Sequence, residues 1–224
     1  MSNQIVYRDT KEVTAETLPT GRTYYTPDGA FPSITTLLGK TSPNQIWLAK
    51  WRERVGDEEA DRISREATER GELVHEYVEH YWNGKDISLD LEKEPYKVKQ
   101  PTKSIIQATS KSVDEVWIQE TALWSPSLKY AGRVDMVGIW NGEPAIIDFK
   151  TSKKLKQVNQ IKDYFIQCCA YAFAHNELYK TRINSVVVVI GVDDITEAQV
   201  FERKAAPFFS DLKMRVKQYY EAYT

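Results

Sequence analysis

Two β-rich runs meet at Asn141-Gly142, and this dipeptide restricts the chain more than any other local feature. Asn-Gly between such runs is the strongest short-range signal for a hairpin closed by a two-residue loop. In that register Trp140 lies opposite Glu143, and counting back along both strands sets Asp135 opposite Asp148. Directly opposed side chains share a face, with Cβ atoms roughly 4.5–5.5 Å apart. Lys150 projects to the same side, because strand side chains alternate with period two. Like charges facing one another destabilise a sheet unless something compensates. Two readings of the spacing are open. In one, both carboxylates coordinate a divalent cation. Their hard oxygens suit Mg²⁺ or Mn²⁺, and the neighbouring lysine can hold a phosphate oxygen or an attacking water, as metal-assisted phosphodiester hydrolysis requires. In the other, the two acids lie on a solvated face and Lys150 neutralises them.

The rest of the chain predicts an α/β or α+β architecture. Short extended pieces are expected at Gln4–Tyr7 and Arg22–Thr26, broken by the turn Pro27-Asp28-Gly29. Helices follow after Pro32 with Ser33 as cap, from Pro43 to about Val55, from about Asp57 to Trp82, and over roughly Val98 to Lys111. The texture then changes to alternating, β-rich segments at Glu115–Leu123, Lys129–Trp140 and Pro144–Lys150. A helix over about Lys156 to Tyr179, strands at Ile183–Gly191 and Ala198–Arg203, and a helix over about Pro207 to Tyr223 complete the chain. A mostly helical N-terminal lobe, residues 1–112, is expected to pack on an α/β core, residues 113–224, as one domain.

Composition narrows the class. With 224 residues, 42% apolar and 28% charged, the chain is long enough for a sizeable core and is not of disordered type. Lys plus Arg number 30 against 32 Asp plus Glu, which argues against a non-specific DNA-coating protein. The two cysteines, Cys168 and Cys169, are adjacent and can form neither a disulfide framework nor a four-cysteine zinc or iron–sulfur site. No apolar run is long enough to cross a bilayer, and Met1-Ser2-Asn3-Gln4 carries no secretory signature, so a cytoplasmic, phage-encoded or bacterial protein is expected.

Three further features bear on the choice between the two readings. Ser152, Lys153, Lys154 and Lys156 form a basic track leading away from Lys150, where a phosphate backbone would need it. Gln167 and Tyr171, at i and i+4, share one helix side; taken alone, Gln167 reads as a surface residue. His75 lies in the long helix within Gly71-Glu72-Leu73-Val74-His75, where a lone histidine ordinarily packs or caps.

Together, Gly-x-x-Asp at 132–135, Asp-x-Lys at 148–150, Gln-x-x-x-Tyr at 167–171 and Gly-x-x-x-His at 71–75 resemble the RecB-like branch of the PD-(D/E)XK nuclease superfamily. The likeness extends to the mitochondrial genome maintenance exonuclease group and its phage and bacterial relatives, through Phe31–Thr35, Lys50-Trp51 and Asp148–Ser152. It covers roughly Phe31 to Tyr179. Val134 stands where many members carry proline, a mild departure.

The resemblance implies a restriction-endonuclease-like mixed sheet flanked by helices. It implies that Asp135, Asp148, the Phe149 carbonyl and His75 bind Mg²⁺ or Mn²⁺, with Asp135, Asp148 and Lys150 catalytic. Gln167 and Tyr171 would support substrate and the active strand, with Ser152, Lys153 and Lys154 beside them, and Glu120 would support the metal or help hold a second one. Trp47, Trp51, Tyr77, Tyr81 and Trp82 are candidates for stacking bases. The expected activity is a DNA exonuclease preferring single strands or unpaired ends and leaving 5′-phosphates. The alternatives are a duplex-resecting recombination exonuclease and a non-catalytic nuclease-fold module that binds nucleic acid.

Overall fold

A computed structural model describes residues 13–223, so the extended piece expected at Gln4–Tyr7 lies outside the described residues. The chain opens with three antiparallel strands, β1 (Thr14–Leu18), β2 (Gly21–Thr26) and β3 (Gly29–Pro32). The N-terminal half thus adds a three-stranded sheet to its helices. β1 is exposed at every position, so no burial pattern marked it in the sequence. Pro27-Asp28-Gly29 does not end the extended region but turns β2 into β3. Helix α1 (Ile34–Lys40) follows, with the Ser33 hydroxyl accepting the Thr36 N–H at 3.0 Å, an N-cap. Then come α2 (Gln45–Val55), the long α3 (Asp57–Trp82), a short α4 (Ser88–Lys93) that the sequence did not announce, and α5 (Tyr96–Ser112).

Strands β4 (Val113–Ser125), β5 (Tyr130–Trp140), β6 (Glu143–Ser152), β7 (Ser185–Val192) and β8 (Gln199–Lys204) form one mixed sheet in sequential order. All neighbours are antiparallel except β6 and β7, which are parallel and joined through α6 (Lys162–Tyr179). Helix α6 starts later than expected, because Lys156 is tied to Gln199 by two hydrogen bonds (2.8 and 3.0 Å) that hold the preceding segment off the helix. Helix α7 (Phe209–Tyr223) closes the chain.

The run Val186–Ile190 is apolar throughout because both faces of the sheet are covered. Val187 and Val189 pack with Val74 and Val78 of α3 and Val98 and Ile105 of α5. Val186, Val188 and Ile190 pack on the other side with Phe165 and Ile166 of α6, Leu212 of α7 and Ile34 of α1. A strand with period-two geometry thus supplies alternate residues to two helical layers. Arg215 of α7, nearly buried, locks its layer by bonding Thr41 Oγ1 (2.6 Å), Asp163 Oδ1 (3.0 Å) and the Leu38 carbonyl. Among the described residues no helix is long and apolar enough to cross a membrane.

Gly132 is required by packing rather than by backbone torsion. A Cβ there would stand 2.9 Å from Tyr171 Cε1 and 3.0 Å from Ile34 Cγ2. Overpacking of a dense core costs about 1–3 kcal/mol. Gly132→Ala is expected to lower unfolding stability by about that amount in urea titration; an unchanged midpoint and slope would contradict this packing account.

Candidate active site

The predicted hairpin forms. Trp140 pairs with Glu143, and Asn141 and Gly142 adopt φ of 47° and 80°, the two positive values of a type I′ turn. The β5–β6 ladder runs back to Met136–Ile147 and stops there, one step short of Asp135 and Asp148. Beyond that point β5 stays with β4 while β6 stays with β7, so the sheet forks. Asp135 fills the fork: its Oδ2 accepts the Phe149 N–H at 2.7 Å, satisfying a main-chain donor that the parting strands would leave unpaired.

Glu120 enters from the other side. The β4–β5 register passes from Gln119–Met136 to Thr121–Val134, which sets Glu120 opposite Asp135. Its φ of 44° lies in the left-handed region, a conformation that costs a non-glycine residue on the order of 1–3 kcal/mol and that clusters at functional sites.

From α3, His75 Nε2 lies 2.9 Å from the Phe149 carbonyl oxygen. A carbonyl only accepts, so Nε2 carries the proton and donates. Nδ1 then faces Asp135 Oδ1 at 3.5 Å and Glu120 Oε1 at 3.8 Å. One ligand atom each from His75, Glu120 and Asp135 lies within 4.8 Å of the others. Burial alone would lower the His75 pKa, but the charges of Asp135 and Glu120 override it and raise the imidazole to about 9.

Asp148 is 1% exposed, and burial pushes its carboxyl up to about 6; Lys150 opposes that rise and the charge of Asp135 adds to it. Lys150 Nζ donates to Asp148 Oδ1 at 2.6 Å and lies 2.5 Å from Oδ2, so the ammonium engages both carboxylate oxygens. Burial would lower the Lys150 pKa, yet Asp148 and Asp135 hold it above its ordinary value. The ammonium also lies 5.3 Å from the Tyr164 ring centroid.

Gln167 is 8% exposed rather than on the surface, and its Nε2 donates to Tyr171 Oη at 3.3 Å. The Tyr171 ring packs over Gly132, three residues before Asp135. Ser152 is turned away into its own loop, bonded to the Lys154 carbonyl at 2.6 Å, while Lys153 and Lys154 are exposed. Of the aromatic candidates, Trp47 (65%) and Tyr81 (38%) are exposed and Trp51 is half-buried. Tyr77 and Trp82 pack against the core layer under α3. The sequence reading missed Arg22 and Arg133, which line a cavity of about 490 Å³ together with Gly71, His75, Glu76 and Glu120. The signal for Arg133 was present, since it stands two residues before Asp135 on one strand.

The donor set fits a hard divalent cation. Two carboxylates and one imidazole converge, the buried Asp148–Lys150 pair stands on the neighbouring strand, and Nδ1 is left to coordinate because Nε2 is engaged. The Phe149 carbonyl, expected as a direct ligand, already accepts from His75 and has one further lone pair.

Comparison with known proteins agrees with this geometry. The chain is similar to mitochondrial genome maintenance exonuclease 1 of Mus musculus, 24% identical over 204 residues that cover 86% of this chain and 60% of that protein. The Xenopus tropicalis protein of the same name is 28% identical over 181 residues (75% and 50%), and the Homo sapiens one 25% over 192 residues (82% and 53%). The chain thus spans between half and three-fifths of the length of these relatives. The model of the PD-(D/E)XK nuclease superfamily matches residues 46–222, which takes in α7 as far as Ala222 and starts after Phe31–Thr35. With the forked sheet, the Asp135/Asp148–Lys150 hairpin and a match over most of its length, the chain belongs to the PD-(D/E)XK nuclease superfamily.

Proposed function

We propose that the protein is a Mg²⁺- or Mn²⁺-dependent exonuclease that hydrolyses DNA phosphodiesters and prefers single-stranded DNA or unpaired ends. The observation that carries this reading is the convergence of His75, Glu120 and Asp135 within 4.8 Å beside the buried Asp148–Lys150 pair. Asp135, Asp148 and His75 hold the cation, with Glu120 completing the set and the second lone pair of the Phe149 carbonyl open to it. When bound, the cation supplies Lewis acidity at the scissile phosphate and lowers the pKa of its water. Lys150 orients the attacking water and carries the positive charge that balances the phosphorane-like transition state; its ammonium stays protonated across the neutral range. Gln167 and Tyr171 brace β5 through Gly132. Lys153 and Lys154 extend the positive track for the backbone, and exposed Trp47 and Tyr81 offer faces on which unpaired bases stack. Residues 1–112 and 113–224 act as one nuclease unit, since α3 of the first part delivers His75 to β6 of the second.

End-labelled single-stranded oligonucleotides incubated with Mg²⁺ or Mn²⁺ are expected to shorten, and EDTA to stop the reaction. Cleavage in EDTA, or none in either metal, contradicts the proposal. Cutting of circular single strands would reassign the activity as endonucleolytic, and faster attack on blunt duplex would favour the resecting alternative. Lys150→Ala is expected to reduce the rate about 10²–10⁴-fold while leaving the far-ultraviolet dichroism unchanged; an unaltered rate rejects its role.

A pH signature follows from His75. At pH 7.5 an imidazole with pKa about 9 is protonated, and Nδ1 must lose that proton to coordinate. Mn²⁺ uptake is therefore expected to release a proton, and its affinity to rise from pH 6 to pH 9. Calorimetry in buffers of different ionisation enthalpy reads the proton directly, and His75→Gln is expected to abolish the release. Proton-independent uptake by the unaltered chain would show that His75 is not a ligand.

A further inference from the structure

Arg70 and Asp193 are 123 residues apart in sequence and form an ion pair outside the cation cluster. Arg70 Nη1 donates to both carboxylate oxygens of Asp193, at 3.0 and 2.9 Å, and the two side chains are only 12% and 8% exposed. Asp193 follows the last residue of β7, and its N–H donates to the Ser152 carbonyl at 2.9 Å. Arg70 lies on α3, five residues before His75. Two contacts therefore join α3 to one strand. His75 grips β6 at Phe149, and Arg70, through Asp193, grips it at Ser152.

The geometry of the two grips differs in a useful way. Five helical residues advance roughly 7.5 Å along the axis and turn roughly 140° around it. Besides the packing of Val74 and Val78 against the sheet, the histidine hydrogen bond is a single polar tie at one point of α3. A second polar attachment, displaced along the axis and around it, further resists rotation of the helix about that tie. Stability does not explain such a pair, since buried ion pairs replaced by well-packed apolar residues are often neutral or stabilising.

We propose that the Arg70–Asp193 pair is a positioning device that sets the rotation of α3, and so aims His75 Nδ1 at Asp135 and Glu120 for cation binding. The metal part of this proposal rests on the function proposed above, whereas the aiming of the ring does not. Arg70→Met combined with Asp193→Leu removes both charges without leaving either buried alone. This double variant is expected to melt within a few degrees of the unaltered chain. Two readouts then follow. In EDTA, the His75 Nε2–H resonance, protected in the unaltered chain by the Phe149 carbonyl, is expected to broaden or vanish. In calorimetry, the Mn²⁺ dissociation constant is expected to rise about 10–100-fold, as for other residues that orient a ligand. Asp193→Asn serves if the double variant does not fold, with the same two changes expected at smaller size. A folded variant that keeps the His75 resonance overturns the proposal whatever the metal does. A lost resonance with unchanged Mn²⁺ affinity overturns its link to cation binding. If the unaltered chain takes up no Mn²⁺, the metal reading fails by itself and the resonance measured in EDTA decides the positioning role.

Discussion

The site is organised by one hydrogen bond, from the Phe149 N–H to the Asp135 carboxylate, at the place where β5 and β6 part. A continued ladder would have filled the gap with backbone and left no room for chemistry. An unfilled gap would have orphaned a buried donor at a cost of about 1–3 kcal/mol. A side-chain carboxylate resolves both problems, since one oxygen stands in for the missing strand while the other faces His75. The cost is electrostatic. Three acids on three adjacent strands are gathered in a poorly solvated cleft, and the protein supplies two cations against them, the His75 imidazolium and the Lys150 ammonium. Both cations are held by the acids they neutralise, which is why both titrate above their ordinary values.

Much of this was legible because the informative rules are short-ranged. A two-residue Asn-Gly loop and strict alternation set the register from Trp140–Glu143 back to Met136–Ile147 without any tertiary information, though the ladder ends one step before Asp135 and Asp148. The Ser33 cap likewise acts locally; α1 begins, and α3 begins and ends, close to where they were expected. The apolar run in β7 announced a strand covered on both faces.

What the sequence hid is what depends on distant partners. Nothing near Ile147 says that the ladder to β5 ends there while β6 goes on pairing with β7 as far as Ser152. Gln167 reads as a surface residue until Tyr171, folded over Gly132, gives its amide a partner. The Arg70–Asp193 pair joins positions with no local signature at all. His75 is the instructive intermediate case: helical periodicity shows a histidine beside the core residues Val74 and Val78, and only the fold puts the Phe149 carbonyl under it. The motif resemblance implied both as ligands of one cation, not the hydrogen bond that joins them.

Glu120 carries a consequence for how such a chain can vary. Its backbone sits where glycine rests without penalty, so the replacement that most relaxes the main chain also deletes a carboxylate from the cluster. Screens that reward thermal tolerance alone would therefore drift toward glycine at this position and return a hardier but chemically poorer protein, an antagonism between robustness and performance confined to a single torsion angle.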